Sequence, residues 1–189
     1  VDSIARVKTA LFYAKSKRFA EGELDKDIIN NLPDSIKKVG VFVNESIDKI
    51  HTICQEYNLT FVQLHGDESV EDCIKMKSLN YKVIKAFGID EDFNFDSLSV
   101  YEPYVDYFLF DTKTKDYGGS GQVYDWEVLK QYKGQKPYFL SGGIGEDNID
   151  NAFEFQDERM QVLDLNSKFE IEAGLKNIDL LRTKVFARR

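Results

Sequence analysis

The sequence predicts an α/β protein, a (β/α)8 TIM barrel whose first strand is either missing or lies outside the residues of this chain. Three observations carry this expectation. Short apolar runs rich in Val, Phe and Tyr alternate with longer amphipathic stretches, the pattern of buried parallel strands joined by right-handed βαβ crossovers. Nearly every apolar run closes on polar residues, as a ring of strands does when its chemistry sits at their C-terminal ends. Glycine-rich segments follow late strands, where barrels often hold a phosphate.

Strands are predicted over residues 10–13, 39–44, 61–65, 83–87, 107–111, 138–141 and 162–166. Helices are predicted over residues 24–31, 46–57, 70–79, 95–100, 126–132, 146–155 and 178–187, and residues 2–8 also read as helical. The helix starts carry capping side chains: Asn44 or Ser46 before Ile47, Asp67 and Ser69 before Val70, Asp125 before Trp126. Ile47, Ile50, Ile53, Cys54 and Tyr57 recur at spacings of three and four and form one apolar helix face. Pro33, Pro103 and Pro137 each fall before or within a turn that leads into a strand. A single domain, 1–189, is expected, incomplete at its N-terminus. A closed barrel has eight strands, and the deficit lies before residue 10. An open doubly wound sheet would also alternate in this way, but it would concentrate polar residues near one switch point.

Composition narrows the function. The net charge of −8 and pI of 4.9 disfavour a general nucleic-acid surface, which needs clustered Lys and Arg. A small anion is compatible with this charge, because backbone N–H groups can hold a phosphate inside an acidic protein. The apolar runs are too short to span a bilayer, and the first residues lack the pattern of a signal peptide. A cytoplasmic protein with no membrane or nucleic-acid partner is expected. Cys54 and Cys73, the only cysteines, read as small buried residues, without a zinc or disulfide pattern.

Candidate site residues sit where strands end. Asp111 closes its strand and precedes Gly118-Gly119-Ser120-Gly121. On the residues alone it is equally a turn or cap residue. Ser141-Gly142-Gly143-Ile144-Gly145 follows the next strand and enters a helix. Glycines there allow close backbone approach to a phosphate, although a plain tight turn looks the same. His65 ends a strand, which more often marks a core histidine than a ligand contact. Lys85, also near a strand end, could in principle form a Schiff base. Residues 154–158 read as a solvated acidic loop.

In order along the chain, Val39-Gly40-Val41-Phe42-Val43-Asn44, Val62-Gln63-Leu64-His65-Gly66, Phe108-Leu109-Phe110-Asp111-Thr112, Gly118-Gly119-Ser120-Gly121 with Asp125-Trp126, and Leu140-Ser141-Gly142-Gly143-Ile144 resemble the phosphoribosylanthranilate isomerases of tryptophan biosynthesis. The resemblance covers residues 12–186. Lys15-Ser16-Lys17-Arg18 resembles the loop after the second barrel strand. Asp164-Leu165-Asn166-Ser167-Lys168-Phe169-Glu170 with Gly174-Leu175-Lys176 resembles the last strand and the phosphate helix.

The resemblance implies an Amadori rearrangement of a phosphorylated aminoaldose to an aminoketose by proton transfer, with no cofactor and no metal. It implies Asp111 as general acid, Arg18 on the anthranilate carboxylate, and Asp164 near the substrate amine; His65 is expected beside the substrate. Gly119, Ser120, Gly121, Gly142, Gly143, Asn166 and Ser167 match the phosphate side. A monomer or homodimer is expected. The family's general base, a cysteine in a Lys-x-Cys-Gly motif at the end of the first strand, has no match in the chain, and Cys54 and Cys73 fall in helices. Two other classes stay open: another sugar-phosphate barrel enzyme, or a non-catalytic or impaired phosphate-binding barrel.

Overall fold

Alternating apolar residues build two cores from one sheet. The computed structural model describes residues 7–20, 25–112 and 125–187, so Gly119, Ser120 and Gly121 lie outside the described residues. Seven parallel strands follow one another in chain order: β1 (Val7–Leu11), β2 (Lys37–Phe42), β3 (Phe61–Leu64), β4 (Lys82–Ile89), β5 (Tyr107–Thr112), β6 (Tyr138–Leu140) and β7 (Met160–Leu163). Each pairs only with its neighbours, and among the described residues β1 and β7 have one partner strand each, so the ring is not closed there.

Successive residues on a strand face opposite ways, and both sets are apolar. Val39, Val41, Ile84, Ala86, Leu109 and Phe139 meet on the inner face of the sheet. Phe42, Val62, Leu64, Val83, Phe108, Phe110, Tyr138 and Leu140 face outward and pack under the helical layer. That layer contains α1 (Lys26–Asn30), α2 (Ile47–Glu56), α3 (Val70–Ser78), α4 (Ile149–Glu154) and α5 (Ile178–Leu181), which continues as a π turn over Arg182–Phe186. The predicted apolar face of α2 buries Ile50, Ile53 and Cys54, and Ser69 closes a capping box with Asp72 at the start of α3.

The structure corrects several boundaries. Val7 and Lys8, expected in a helix, belong to β1, where their backbones pair with Lys37 and Lys38; sheet pairing overrides a weak local preference. Residues 95–100 and 126–131 form 3₁₀ helices rather than α-helices. In each, two buried residues three apart (Phe95 and Leu98, Trp126 and Leu129) anchor the turn, which suits a period of three. The helix expected from residue 146 begins at Ile149, because Gly145 and Asn148 form the turn before it. The acidic loop 154–158 is not wholly solvated. Asp157 accepts from the Tyr138 hydroxyl at 2.9 Å and pairs with Arg159 at 2.7 Å.

Candidate active site

The inward alternation continues past the strand ends and carries the polar residues with it. His65 lies two residues after inward-facing Gln63, Asp111 two after Leu109, Ser141 two after Phe139 and Asp164 two after Val162. They meet at the C-terminal end of the sheet. His65 Nε2 is 3.4 Å from Asp111 Oδ2, and the Ser141 hydroxyl donates to Asp164 Oδ2 at 3.2 Å. Gln63 Nε2 lies 2.7 Å from His65 Nδ1. With the Gln63 amide donating, a neutral His65 carries its proton on Nε2, facing Asp111.

Asp111 is fixed from behind: its Oδ1 accepts the Thr112 N–H at 2.8 Å. Burial raises the Asp164 carboxyl above its ordinary value, and the nearby Asp111 charge raises it further, against the opposing pull of Ser141, Lys176 and His65.

The turn after β6 needs glycine. Gly142 and Gly143 have φ of +93° and +65°, the left-handed region that side chains disfavour. A Cβ on Gly142 would also lie 2.7 Å from Asp111 Oδ1, so the turn passes directly against the candidate acid. The Gly142 and Gly143 N–H groups donate to no described residue, while Asn148 ties the far side of the turn by donating to Gly143 O at 3.1 Å. Asn166 and Ser167 follow β7, where the Asn166 amide donates to Asp164 Oδ2 at 3.1 Å and Ser167 opens a 3₁₀ turn. Among the described residues, no group of three or more His, Cys, Asp or Glu is placed to hold a metal.

Arg18, in the loop after β1, pairs with Glu170 rather than with Asp111 or Asp164. Its Nε and Nη2 donate to Glu170 Oε2 at 2.8 and 2.6 Å. Lys176 takes the other oxygen at 2.9 Å and also donates to Leu165 O at 2.8 Å. Lys85 is not a lumen group. It alternates outward between inward-facing Ile84 and Ala86 and is buried against Glu68 at 3.1 Å. Cys54 and Cys73 are buried in α2 and α3, and burial pushes both thiols up to about 12, so neither is a base at neutral pH. Glu170 and Gln63 were given no site role from the sequence, and Ser141 only a place at the head of the glycine turn. The inward parity of Gln63 and Ser141 was the available signal, whereas Glu170 lies among alternating residues of an exposed hairpin, β8 (Glu170–Glu172) and β9 (Leu175–Lys176).

Comparison with known proteins identifies the family. The family model of N-(5'-phosphoribosyl)anthranilate (PRA) isomerase matches residues 1–187. The N-(5'-phosphoribosyl)anthranilate isomerase of Parabacteroides distasonis is 46% identical over 173 residues, covering 91% of this chain and 78% of that protein. The crystal structure of phosphoribosyl anthranilate isomerase from Thermotoga maritima superposes with a TM-score of 0.83 at 34% identity, covering 95% of this chain and 86% of that one. A phosphoribosyl anthranilate isomerase in complex with reduced 1-(o-carboxyphenylamino)-1-deoxyribulose 5-phosphate superposes with a TM-score of 0.79 at 30% identity, covering 94% and 84%. A parallel sheet with barrel order, inward carboxyls at its C-terminal end and these likenesses together place the chain in the phosphoribosylanthranilate isomerase family.

Proposed function

We propose that this protein, as a single barrel domain and a monomer or homodimer in the cytoplasm, converts N-(5-phosphoribosyl)anthranilate to 1-(2-carboxyphenylamino)-1-deoxyribulose 5-phosphate. The observation that carries the reading is Asp111: a carboxyl at the end of β5, backed by the Thr112 N–H, faced by His65 and pressed against the Gly142 turn.

In this reading the phosphate rests on the N–H groups of Gly142 and Gly143, with Asn166 and Ser167 on the neighbouring turn. Gly119, Ser120 and Gly121 are assigned to the same phosphate by the family resemblance. Arg18 receives the anthranilate carboxylate, which a planar guanidinium fork matches. Asp164 lies beside the substrate amine. Asp111 protonates the ribose ring oxygen, the C1′–O bond breaks, and the nitrogen lone pair forms the iminium. Loss of the C2′ proton to a base then gives the enolamine, which tautomerises to the ketose. General acid catalysis of this kind contributes about 10²–10⁴-fold. None of the described residues supplies the cysteine that the resemblance implies as base.

The test is loss of the fluorescence of phosphoribosylanthranilate on addition of the full-length protein. Asp111→Asn should lower turnover by about 10²–10⁴-fold with the fold intact by circular dichroism. Turnover near wild type would remove Asp111 as the acid.

A further inference from the structure

We infer that Glu170 is a positioning residue for substrate recognition, holding the Arg18 guanidinium so that its outer fork meets the ligand's aromatic carboxylate. The inference rests on the reading of Arg18 given above and extends it to a residue that touches no substrate.

The geometry is specific. A guanidinium offers five N–H donors on two usable edges. Glu170 takes one edge, through Nε and Nη2 at 2.8 and 2.6 Å, both onto Oε2. That leaves the Nη1 side, which donates to no described residue, pointing away from the pair. Arg18 is itself 28% exposed at its side chain, whereas Glu170 is only 4% exposed. The buried carboxylate is therefore the fixed partner and the arginine head is the accessible one.

Glu170 is anchored in turn. Lys176 holds its second oxygen at 2.9 Å, and the same ammonium donates to Leu165 O at 2.8 Å and Asn166 O at 3.3 Å. The contact joins residues 152 apart in sequence, linking the loop after β1 to the segment after β7. Those are the two strands with a single partner among the described residues. Arg18 thus has its place set by the β7 side, the same side that carries Asp164 and Asn166. An arginine loses side-chain entropy when it binds; one already pinned along one edge loses less, which is how preorganisation raises affinity.

The alternative is that Glu170 only neutralises two cations and stabilises the loop. A second alternative is that it competes with the ligand for Arg18. Calorimetry with two ligands separates these readings: reduced 1-(o-carboxyphenylamino)-1-deoxyribulose 5-phosphate, and its counterpart made from aniline, which lacks the carboxylate. In the wild-type protein the carboxylate should improve affinity by about 10- to 100-fold, the range of charge-assisted hydrogen bonds. Arg18→Ala should bring that ratio near one; an unchanged ratio there sinks the reading of Arg18, whatever Glu170 does.

Given an Arg18 that behaves as expected, Glu170→Gln should lower the ratio by about tenfold and leave the aniline ligand within about threefold of wild type. Glu170→Asp, which keeps the charge, should recover part of the ratio. Equal weakening of both ligands, an unchanged ratio, or a ratio that rises in Glu170→Gln would each overturn the inference. If Glu170→Gln does not fold, Glu170→Asp alone must lower the ratio, because it draws the anchor back by one methylene; a wild-type ratio in that variant is equally fatal.

Discussion

Two charged clusters lie near the C-terminal ends of the same strands, and they are built in opposite ways. Behind β3 and β4, Lys85 is buried to 2% and Glu68 to 4% exposure at the side chain. Every polar atom there has work: Lys85 donates to Leu64 O, Gly66 O, Ala86 O and Glu68, while Glu68 accepts the N–H groups of Asn44 and Gly66. On the inner face, Asp111 and His65 are 22% and 27% exposed and meet at a long 3.4 Å. The carboxyl of Asp164 is burdened by its neighbour rather than relieved by it. A satisfied cluster fixes the chain. One that keeps its carboxyls partly exposed leaves them within reach of a small molecule.

The largest expected effects separate the two clusters by kind. Asp111→Asn should cost its 10²–10⁴-fold in turnover, about 3–5 kcal/mol on the barrier, and nothing comparable in stability. Lys85→Met should do the reverse. It leaves the Glu68 carboxylate buried without its cation and takes the ammonium donor from three carbonyls, which costs about 3–5 kcal/mol in a urea titration. Turnover per folded molecule should stay close to wild type. A Lys85→Met protein of normal stability and no activity would reverse the comparison and restore Lys85 as a chemical group.

The same contrast explains what could be read in advance. The sheet was legible because its strands are apolar on both faces, which only buried parallel strands need. Asp111 and His65 were legible because they end such strands, and a polar residue there has nowhere else to point. The buried Lys85–Glu68 cluster was not legible. Glu68 follows Gly66 and Asp67 and reads as part of a helix cap, and its cation lies 17 residues further on. Glu170 was hidden for the same reason, since sequence does not show which surface-like acid is folded under a distant arginine. Short 3₁₀ turns were read as α-helices because two buried anchors three apart fit either period.

A smaller effect tests the cysteines. Cys54 and Cys73 are 1% and 0% exposed, with thiols pushed up to about 12 by burial. An alkylating reagent at neutral pH should label neither until the protein unfolds. Labelling of a native thiol accompanied by loss of turnover would reopen the question of the base.

The smallest effects are those of pH, and their signs distinguish the two kinds of cluster again. Asp164 has a raised carboxyl in the fold, through burial and the charge of Asp111. The folded state then holds more protons than the unfolded chain above the ordinary value of 3.8. Its contribution to stability falls as pH rises through that window and stays unfavourable at neutral pH. Burial pushes Glu170 up as well, but hydrogen bonds from Arg18 and Lys176 outweigh it and leave the carboxyl below its ordinary 4.5. Its contribution is present above that value and is lost as pH falls through the lowered one. Urea titrations between neutral and acid pH should therefore show Asp164→Asn more stable than wild type at neutral pH, with the gain vanishing below 3.8. Glu170→Gln should be less stable at neutral pH, with the loss shrinking below 4.5. An Asp164→Asn variant destabilised equally at every pH would make Asp164 a plain acceptor for Ser141 and Asn166, and the strain between the two inward carboxyls would then belong to neither stability nor chemistry.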